Sequence, residues 1–213
     1  MSHRPKKGLF VTFEGGDGTG KTTQITATYN RLVDRNVLCA QTREPGGTPV
    51  AESIRSIFLQ NDLHPTEDLL LLLAARHHHV RTHIMPLINQ GHVVLCDRFI
   101  DSNLVYQGTH IDPEEIIAWH KMAHIHCWPD ITFLLQDPNH ALLKQRNSTP
   151  LSSDRFDHKS TEFHDRIHHA YCTLATHYKD RYIVVPHTLS LNQATDFIVR
   201  TIIDKWHTIH AAT

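Results

Sequence analysis

Cysteine is scarce in this chain, with four residues among 213: Cys39, Cys96, Cys127 and Cys172. They are dispersed along the sequence and form no C-x-x-C pair, the spacing typical of zinc and redox sites. Two of them, Cys39 and Cys96, lie inside apolar, strand-like runs, where cysteine acts as a small apolar side chain. We therefore expect neither a disulfide framework nor a structural zinc site.

The sequence also lacks an excess of charge of either sign. Its 21 lysines and arginines balance 22 aspartates and glutamates, so no global basic field favours nucleic acid or a membrane surface. No stretch has the apolar length of a bilayer span, and residues Met1–Lys7 contain no apolar signal-peptide segment. We expect a cytoplasmic protein with small-molecule partners and with no nucleic acid or membrane partner.

Histidine, in contrast, is abundant, with 20 residues that include the run His77–His79 and the pair His168 and His169. Imidazole is a common metal ligand, so a metal site is one interpretation. However, a run of three would direct its side chains around a helix, and no cysteine or carboxylate lies beside it at ligand spacing. We interpret these histidines as surface residues.

Short apolar runs alternate with segments of helical periodicity. The predicted strands are Gly8–Glu14, Val37–Arg43, Val93–Asp97, Ile131–Gln136 and Tyr182–Pro186. The predicted helices are Lys21–Arg35, Pro49–Leu59, Glu67–Gln90 with a bend near Pro86, Asp101–Gln107, Pro113–Cys127, Pro138–Arg146, Lys159–Tyr178 and Leu191–His210. This alternation is typical of an α/β domain whose parallel sheet is covered on both faces and binds ligands at the carboxyl ends of its strands. We predict one domain over residues 1–213.

The pattern G-x-x-x-x-G-K-[ST] spans Gly15–Thr22 and directly follows the apolar run Leu9–Phe13. A strand that turns through glycines into a helix directs backbone N–H groups and the positive end of the helix dipole at one point. Polyphosphate fits there, with Lys21 reaching the outer phosphates and Thr22 positioned to ligate Mg²⁺. The predicted nucleotide-binding residues are Gly15, Gly16, Asp17, Gly18, Thr19, Gly20, Lys21, Thr22 and Thr23.

Two further motifs follow strands. Asp97 and Arg98 end an apolar run at the position where P-loop proteins hold Mg²⁺, and the arginine offers a planar fork to phosphate oxygens. In the segment Thr42–Thr48, the cation Arg43 precedes a glycine turn, and its charge suits a second phosphate group. The alternatives are a surface salt bridge or helix cap for the first motif and a plain strand-to-helix turn for the second.

Five segments together resemble the bacterial thymidylate kinases in order and spacing: F-E-G-G-D-G-T-G-K-T-T-Q, T-R-E-P-G-G-T-P, A-A-R at Ala74–Arg76, D-R-F at Asp97–Phe99 and S-N-L-V-Y-Q-G at Ser102–Gly108. The resemblance covers nearly the whole chain. It implies transfer of the ATP γ-phosphate to dTMP, giving dTDP and ADP. It also implies a P-loop three-layer sandwich with a five-stranded parallel sheet and a short lid, in a protein that usually forms a homodimer.

The resemblance assigns a role to each matching position. It implies that Lys21 and Thr22 contact the ATP phosphates and Mg²⁺, and that Asp97 is the acid beside the metal. Asp17 resembles the acid that faces the acceptor. The other matching positions concern dTMP: Arg43 and Arg98 resemble its phosphate clamp, Arg76 the group that hydrogen-bonds the thymine edge, and Asn103, Tyr106 and Gln107 the lining of base and deoxyribose. For Tyr106, simple packing is the alternative.

Two parts of the sequence depart from the family pattern: the lid, and the position expected to lie beneath the thymine base. The lid would correspond to residues 144–157, with Arg155 and then Arg146 as the catalytic arginines and Lys144 as a weaker candidate. Relatives often have an aromatic residue one helical turn before Arg76, where this chain has Leu72, so thymine would rest on an aliphatic floor.

Other activities use the same phosphate loop. A deoxynucleoside kinase would need a general base for the sugar hydroxyl. Another nucleoside-monophosphate kinase of the P-loop class is a further alternative. A regulatory GTPase would contain an [NT]-K-x-D motif, which the sequence lacks. A protein that binds nucleotide or metal without turnover is the remaining alternative.

Overall fold

Five parallel strands form the central sheet in the part of the chain that the structure, a computed structural model, describes: residues 8–137 and 160–211. The strands are β1 (Leu9–Glu14), β2 (Cys39–Arg43), β3 (Val93–Asp97), β4 (Ile131–Leu135) and β5 (Tyr182–Val185). Their order in the sheet is β2-β3-β1-β4-β5, and every pair is parallel. The predicted five-stranded α/β fold is therefore confirmed.

Helices cover both faces of this sheet. Within the described ranges they are α1 (Lys21–Val33), α2 (Pro49–Gln60), α3 (Pro65–His79), α4 (Met85–Asn89), α5 (Ile100–Tyr106), α6 (Pro113–Met122), α7 (Thr161–His177) and α8 (Leu191–Ala211). Along β1, Leu9, Val11 and Phe13 pack with side chains of α1 and α8, whereas Phe10 packs on the opposite face with side chains of α3, α5 and α6. This alternation produces three layers, because successive strand residues point to opposite faces.

The strand register brings three distant motifs to one edge of the sheet. Phe13 of β1 pairs with Asp97 of β3, and Arg43 of β2 pairs with the same aspartate. The phosphate loop therefore starts beside Asp97, which lies beside Arg43. Since ligands of open α/β sheets bind outside the carboxyl ends of the strands, this edge is the expected location of the site.

The predicted helix Glu67–Gln90 is divided in the structure. Helix α3 ends at His79, a π-helical turn spans Val80–Ile84, and α4 begins at Met85. Pro86 lacks an N–H group, and in a regular helix its ring would clash with the carbonyl of Thr82. The wider turn that precedes Pro86 accommodates the ring without ending the helical path.

Helix α6 ends at Met122, five residues before the predicted end at Cys127. The backbone of His124 is left-handed (φ 54°), and the Ile125 N–H donates to the carbonyl of His120 (3.3 Å). Such a left-handed residue closes the last turn and redirects the chain toward β4. The predicted helix Pro138–Arg146 and the predicted lid lie outside the described residues.

Among residues 8–137 and 160–211, no helix combines the length and the apolar character needed to span a membrane.

Candidate active site

The phosphate loop depends on glycines in backbone conformations that other residues avoid. Gly15 has φ 140°, and a Cβ there would lie 2.2 Å from the carbonyl oxygen of Leu135. Gly20 is left-handed (φ 84°) and is the N-cap of α1, without a side chain to cap the helix. The N–H groups of the first turn have no partner inside the helix, so this geometry suits an anion.

Lys21 is the first residue of α1 and lies buried against the loop. Its ammonium group donates to the carbonyls of Gly15 (3.0 Å) and Gly16 (2.7 Å). Burial, followed by the charge of Arg98, lowers the pKa of Lys21 to about 8. The side chain is therefore mostly protonated at pH 7 and presents a positive charge within the loop.

Thr22 and Asp97 form the candidate metal position. The Thr22 hydroxyl donates to a carboxylate oxygen of Asp97 (2.6 Å), which brings two hard oxygen ligands of the kind Mg²⁺ prefers to one place. Among the described residues, no group of three or more histidine, cysteine or acidic side chains could hold a metal. Two protein oxygens nevertheless suit Mg²⁺, which is usually bound by one or two side chains together with substrate phosphates and water.

Asp17 of the phosphate loop and Arg98, which follows β3, form an ion pair. Arg98 has a left-handed backbone (φ 68°), and its Nη2 donates to Asp17 Oδ1 (2.5 Å). The Tyr106 hydroxyl donates to the other Asp17 oxygen (3.0 Å), so this tyrosine does more than pack. Burial alone would raise the pKa of Asp17, but the charges of Arg98 and Lys21 outweigh it and lower the pKa to about 2. Asp17 is therefore an anion at neutral pH.

Glu14, the last residue of β1, is buried at the base of this network and was not predicted as a site residue. One carboxylate oxygen accepts from the Phe99 N–H, and the other accepts from the hydroxyls of Ser102 and Tyr171, each at 2.8 Å. Burial, followed by the charge of Asp101, raises the pKa of Glu14 to about 7. An acidic residue ending an otherwise apolar strand was the sequence signal for it.

Tyr171 of α7 was also missed. Its hydroxyl accepts from Arg98 Nη1 (3.1 Å), and the same nitrogen donates to the Ser102 hydroxyl (3.1 Å). The Nη2 atom of Arg98 additionally donates to the Tyr106 hydroxyl (3.3 Å). The guanidinium is thus held from α5 and α7 at once, and nothing in the sequence near Tyr171 indicates a contact 73 residues away.

Arg76 of α3 lies deeper in the cleft and is 3% exposed. Its Nε donates to Glu44 (2.5 Å) and its Nη1 donates to Asn103, whose amide donates in turn to Gln107 (3.1 Å). The guanidinium lies 4.7 Å from the ring centre of Phe99. Three of the predicted base-lining residues therefore form one hydrogen-bonded row, with Glu44 as an unpredicted member.

Arg43 lies at the outer edge of the cleft, with 55% of its side chain exposed. It pairs with Glu52 of α2 (3.0 and 3.1 Å), which also accepts from the Gly47 N–H (2.8 Å). A second arginine of this edge, Arg55 of α2, donates to the carbonyl of Pro45 (2.8 Å) and was not predicted. The helical periodicity of α2 contains no feature that separates Arg55 from an ordinary surface arginine.

One cleft of about 870 Å³ brings most predicted site residues together. Its lining includes Asp17, Gly18, Gly20, Lys21, Thr22, Thr23, Arg43, Leu72, Arg76, Asp97, Arg98, Asn103, Tyr106 and Gln107. Gly15, Gly16 and Thr19 lie on the other side of the loop, at a small cavity of about 20 Å³. Lys144, Arg146 and Arg155 lie outside the described residues.

The cations of the cleft fall into two groups. Lys21 is on the side of the phosphate loop, whereas the arginines line the remainder: Arg43, Arg55, Arg76 and Arg98. This arrangement can neutralise two phosphorylated ligands that meet at the loop.

Comparison with known proteins agrees with this geometry. The family model described as "Thymidylate kinase" matches residues 13–198. The thymidylate kinase of Halalkalibacterium halodurans is 38% identical over 202 residues, covering 92% of this chain and 96% of that protein. The thymidylate kinase of Orientia tsutsugamushi is 33% identical over 204 residues, covering 93% and 94%.

A solved structure matches as well. The crystal structure of thymidylate kinase from Ehrlichia chaffeensis has a TM-score of 0.70 and 30% sequence identity, and the match covers 93% of this chain and 98% of that one. Since the family model, the relatives and the solved structure each match over most of the sequence, the chain belongs to the thymidylate kinase family.

Proposed function

We propose that this protein transfers the γ-phosphate of ATP to dTMP, giving dTDP and ADP. The observation that carries the proposal is the cleft at one sheet edge, which, in the described part of the chain, has a phosphate loop on one side and four arginines on the other. Family membership supports ATP as donor and dTMP as acceptor. Phosphoryl transfer needs mainly positioning and charge neutralisation, which this arrangement provides.

On the donor side, the loop from Gly15 to Thr23 would bind the ATP phosphates, with Lys21 neutralising the transferred group. We propose that Thr22 and Asp97 hold Mg²⁺, because their oxygens already lie 2.6 Å apart beside the loop. When bound, Mg²⁺ would offset the charge of the phosphate oxygens and favour their alignment.

On the acceptor side, Arg98 and Arg43 would bind the dTMP phosphate. Asp17 supports this role by fixing the Arg98 guanidinium through a 2.5 Å hydrogen bond. The row formed by Arg76, Asn103 and Gln107 would contact the thymine and deoxyribose, with Leu72 as part of the apolar floor. Tyr106 lines the same cleft and orients Asp17.

Four expectations stay predictions. Arg155 and Arg146 are expected to contribute lid cations, the chain is expected to form one domain, and its location is expected to be cytoplasmic. We further propose a homodimer, since α2 and α3 pack together and leave Val50, Ile57 and Leu70 about half exposed. Sedimentation velocity tests the homodimer, and a concentration-independent monomer would contradict it.

A deoxynucleoside kinase is less well supported. Its acceptor has no phosphate and needs a general base for the sugar hydroxyl. Among the described carboxylates of the acceptor half, Asp17, Glu44 and Glu52 are each ion-paired with an arginine. The four arginines instead suit an acceptor that already bears a phosphate.

An acceptor panel tests the function. Purified protein with ATP and Mg²⁺ is offered dTMP, dUMP, other nucleoside monophosphates and thymidine, and ADP release is measured. We expect dTMP to have the highest kcat/KM and thymidine to be inactive. Efficient phosphorylation of thymidine would favour the deoxynucleoside kinase, and preference for another monophosphate would reassign the base pocket.

A further inference from the structure

The histidine run on α3 is not uniformly on the surface, as the sequence led us to expect. His77 is exposed, His78 is half-buried and His79 is completely buried. Because successive helix residues point about 100° apart, the three side chains point in different directions, and one of them is fully turned into the protein interior. His79 is that residue, and the interpretation of these histidines as surface residues is wrong for it.

Both ring nitrogens of His79 are hydrogen-bonded. Nδ1 lies 3.0 Å from Glu44 Oε1, and Nε2 lies 2.7 Å from the Thr42 hydroxyl. An ionised carboxylate only accepts, so Nδ1 must bear the hydrogen, and in the neutral ring Nε2 then accepts from Thr42. The imidazole therefore bridges the end of β2 and the residue that follows it.

Glu44 transmits this contact to Arg76. Its Oε1 accepts from His79 and its Oε2 accepts from Arg76 Nε, so the two bonds together define the plane of the carboxylate. Glu44, His79 and Arg76 are all at least 95% buried, which leaves water little access to substitute for a lost partner.

The same ring supports the loop that follows Arg43. Gly47 packs directly on it: a Cβ at Gly47 would lie 2.5 Å from His79 Nε2 and 2.4 Å from the Thr42 hydroxyl. The backbone of Gly47 is also left-handed (φ 80°). A displaced imidazole would therefore disturb both the loop and the Arg76 guanidinium.

We infer that His79 is a positioning residue of the acceptor site, which orients Arg76 through Glu44 and anchors the loop of residues 44–48 through Thr42. The inference rests on the proposed function only in taking Arg76 to contact the acceptor base. His79 itself does not touch the acceptor in this arrangement, so its removal should weaken acceptor binding more than it slows phosphoryl transfer.

The first test needs no substrate. In the free wild-type protein, a two-bond ¹H–¹⁵N correlation spectrum of the histidine rings identifies the protonated nitrogen, and His79→Gln assigns the signal. We expect His79 as the Nδ1–H tautomer, protected from exchange with solvent. An Nε2–H tautomer would overturn the inference, because Glu44 would then receive no hydrogen bond from the ring.

The second test uses two amides that imitate different ring nitrogens. Asparagine places its amide near the Nδ1 position and glutamine places it nearer Nε2, so His79→Asn can retain the bond to Glu44 and His79→Gln loses it. We expect His79→Gln to raise the dTMP KM roughly ten- to a hundredfold, since a buried bond to a charged group is lost. His79→Asn should raise it less, with the ATP KM and kcat near wild type in both.

His77→Gln, an exposed change on the same helix, is the matched control and should leave all constants unchanged. Thr42→Val, which keeps the side-chain shape, should raise the dTMP KM even if His79→Gln does not fold. An unchanged dTMP KM in the folded variants, or an equal rise in the ATP KM, would overturn the inference. If wild type prefers another monophosphate, the proposed function fails, and the KM of that acceptor still tests His79.

Discussion

Lys21 is the residue whose charge should matter most for phosphoryl transfer. It is buried at the start of α1, and its pKa of about 8 keeps it mostly charged at pH 7. We expect Lys21→Ala to lower kcat by about a hundred- to a thousandfold, the usual effect of removing one group that stabilises transition-state charge. Steady-state kinetics with ATP and dTMP measure it. Lys179→Ala, at an exposed lysine, is the control, and near-normal turnover of Lys21→Ala would contradict the site.

His120 affects stability rather than catalysis. It is completely buried between Phe99 and Trp128, and neither ring nitrogen has a hydrogen-bond partner among the residues that the structure describes. Burial, followed by the charge of Arg76, lowers its pKa from 6.5 to about 2. Between these values the unfolded chain binds a proton there and the folded chain does not, so stability falls as the pH drops below about 6.5.

The change His120→Leu tests this linkage. The variant lacks the titrating group. When the pH is lowered from 7 to 5, the free energy of unfolding of wild type should therefore fall by about 2 kcal/mol more than that of the variant. Urea denaturation at the two pH values measures the difference. The exposed change His207→Gln should leave the pH dependence as in wild type, and parallel curves for His120→Leu and wild type would show that His120 titrates normally when folded.

At the scale of elements, a buried ion pair joins α5 to the start of β5. Nη1 and Nη2 of Arg181 donate to the carboxylate of Asp101 (2.7 and 2.6 Å), and Asp101 is completely buried. Removing one partner of such a pair leaves an uncompensated charge, and so Asp101→Ala should lower the free energy of unfolding by about 3–5 kcal/mol. Since α5 also contains Asn103 and Tyr106, loosening it should weaken the acceptor side of the cleft.

Urea denaturation measures the effect, and the chain offers a surface pair for comparison. Asp196 of α8 pairs with Arg31 of α1 and is more than half exposed. We expect Asp196→Ala to cost about 1 kcal/mol or less, because water screens exposed pairs. Equal losses in the two variants would show that the Asp101 pair is not specially important to the fold.

At the scale of the whole molecule, ligand binding should stabilise the folded protein, since the cleft is built from residues between Asp17 and Gln107, which lie on many different elements. Free dTMP at a hundred times its Kd should add about 2.7 kcal/mol to the free energy of unfolding and raise the Tm by roughly 5–10 °C. Arg76→Ala should abolish the shift with dTMP and keep the shift with ATP. Loss of both shifts would indicate misfolding.

The architecture of the molecule was largely readable from its sequence. Apolar strands that alternate with helices predicted the parallel sheet, and the family model, relatives and solved structure confirm the predicted fold and family. These signals are local: a glycine-rich turn between a strand and a helix leaves its pattern in adjacent residues. The roles of the predicted site residues stay predictions, including those of Arg146 and Arg155.

The sequence by itself determined the order in which the elements follow, and it predicted which residues would bind phosphate. Only the tertiary structure decided which side chains hold that chemistry in place. Glu14 and Tyr171 are 157 residues apart, and His79 at the end of α3 meets Glu44, 35 residues earlier in the chain. Such contacts arise from packing between distant elements, where burial makes each hydrogen bond hard to replace, and no local periodicity records them.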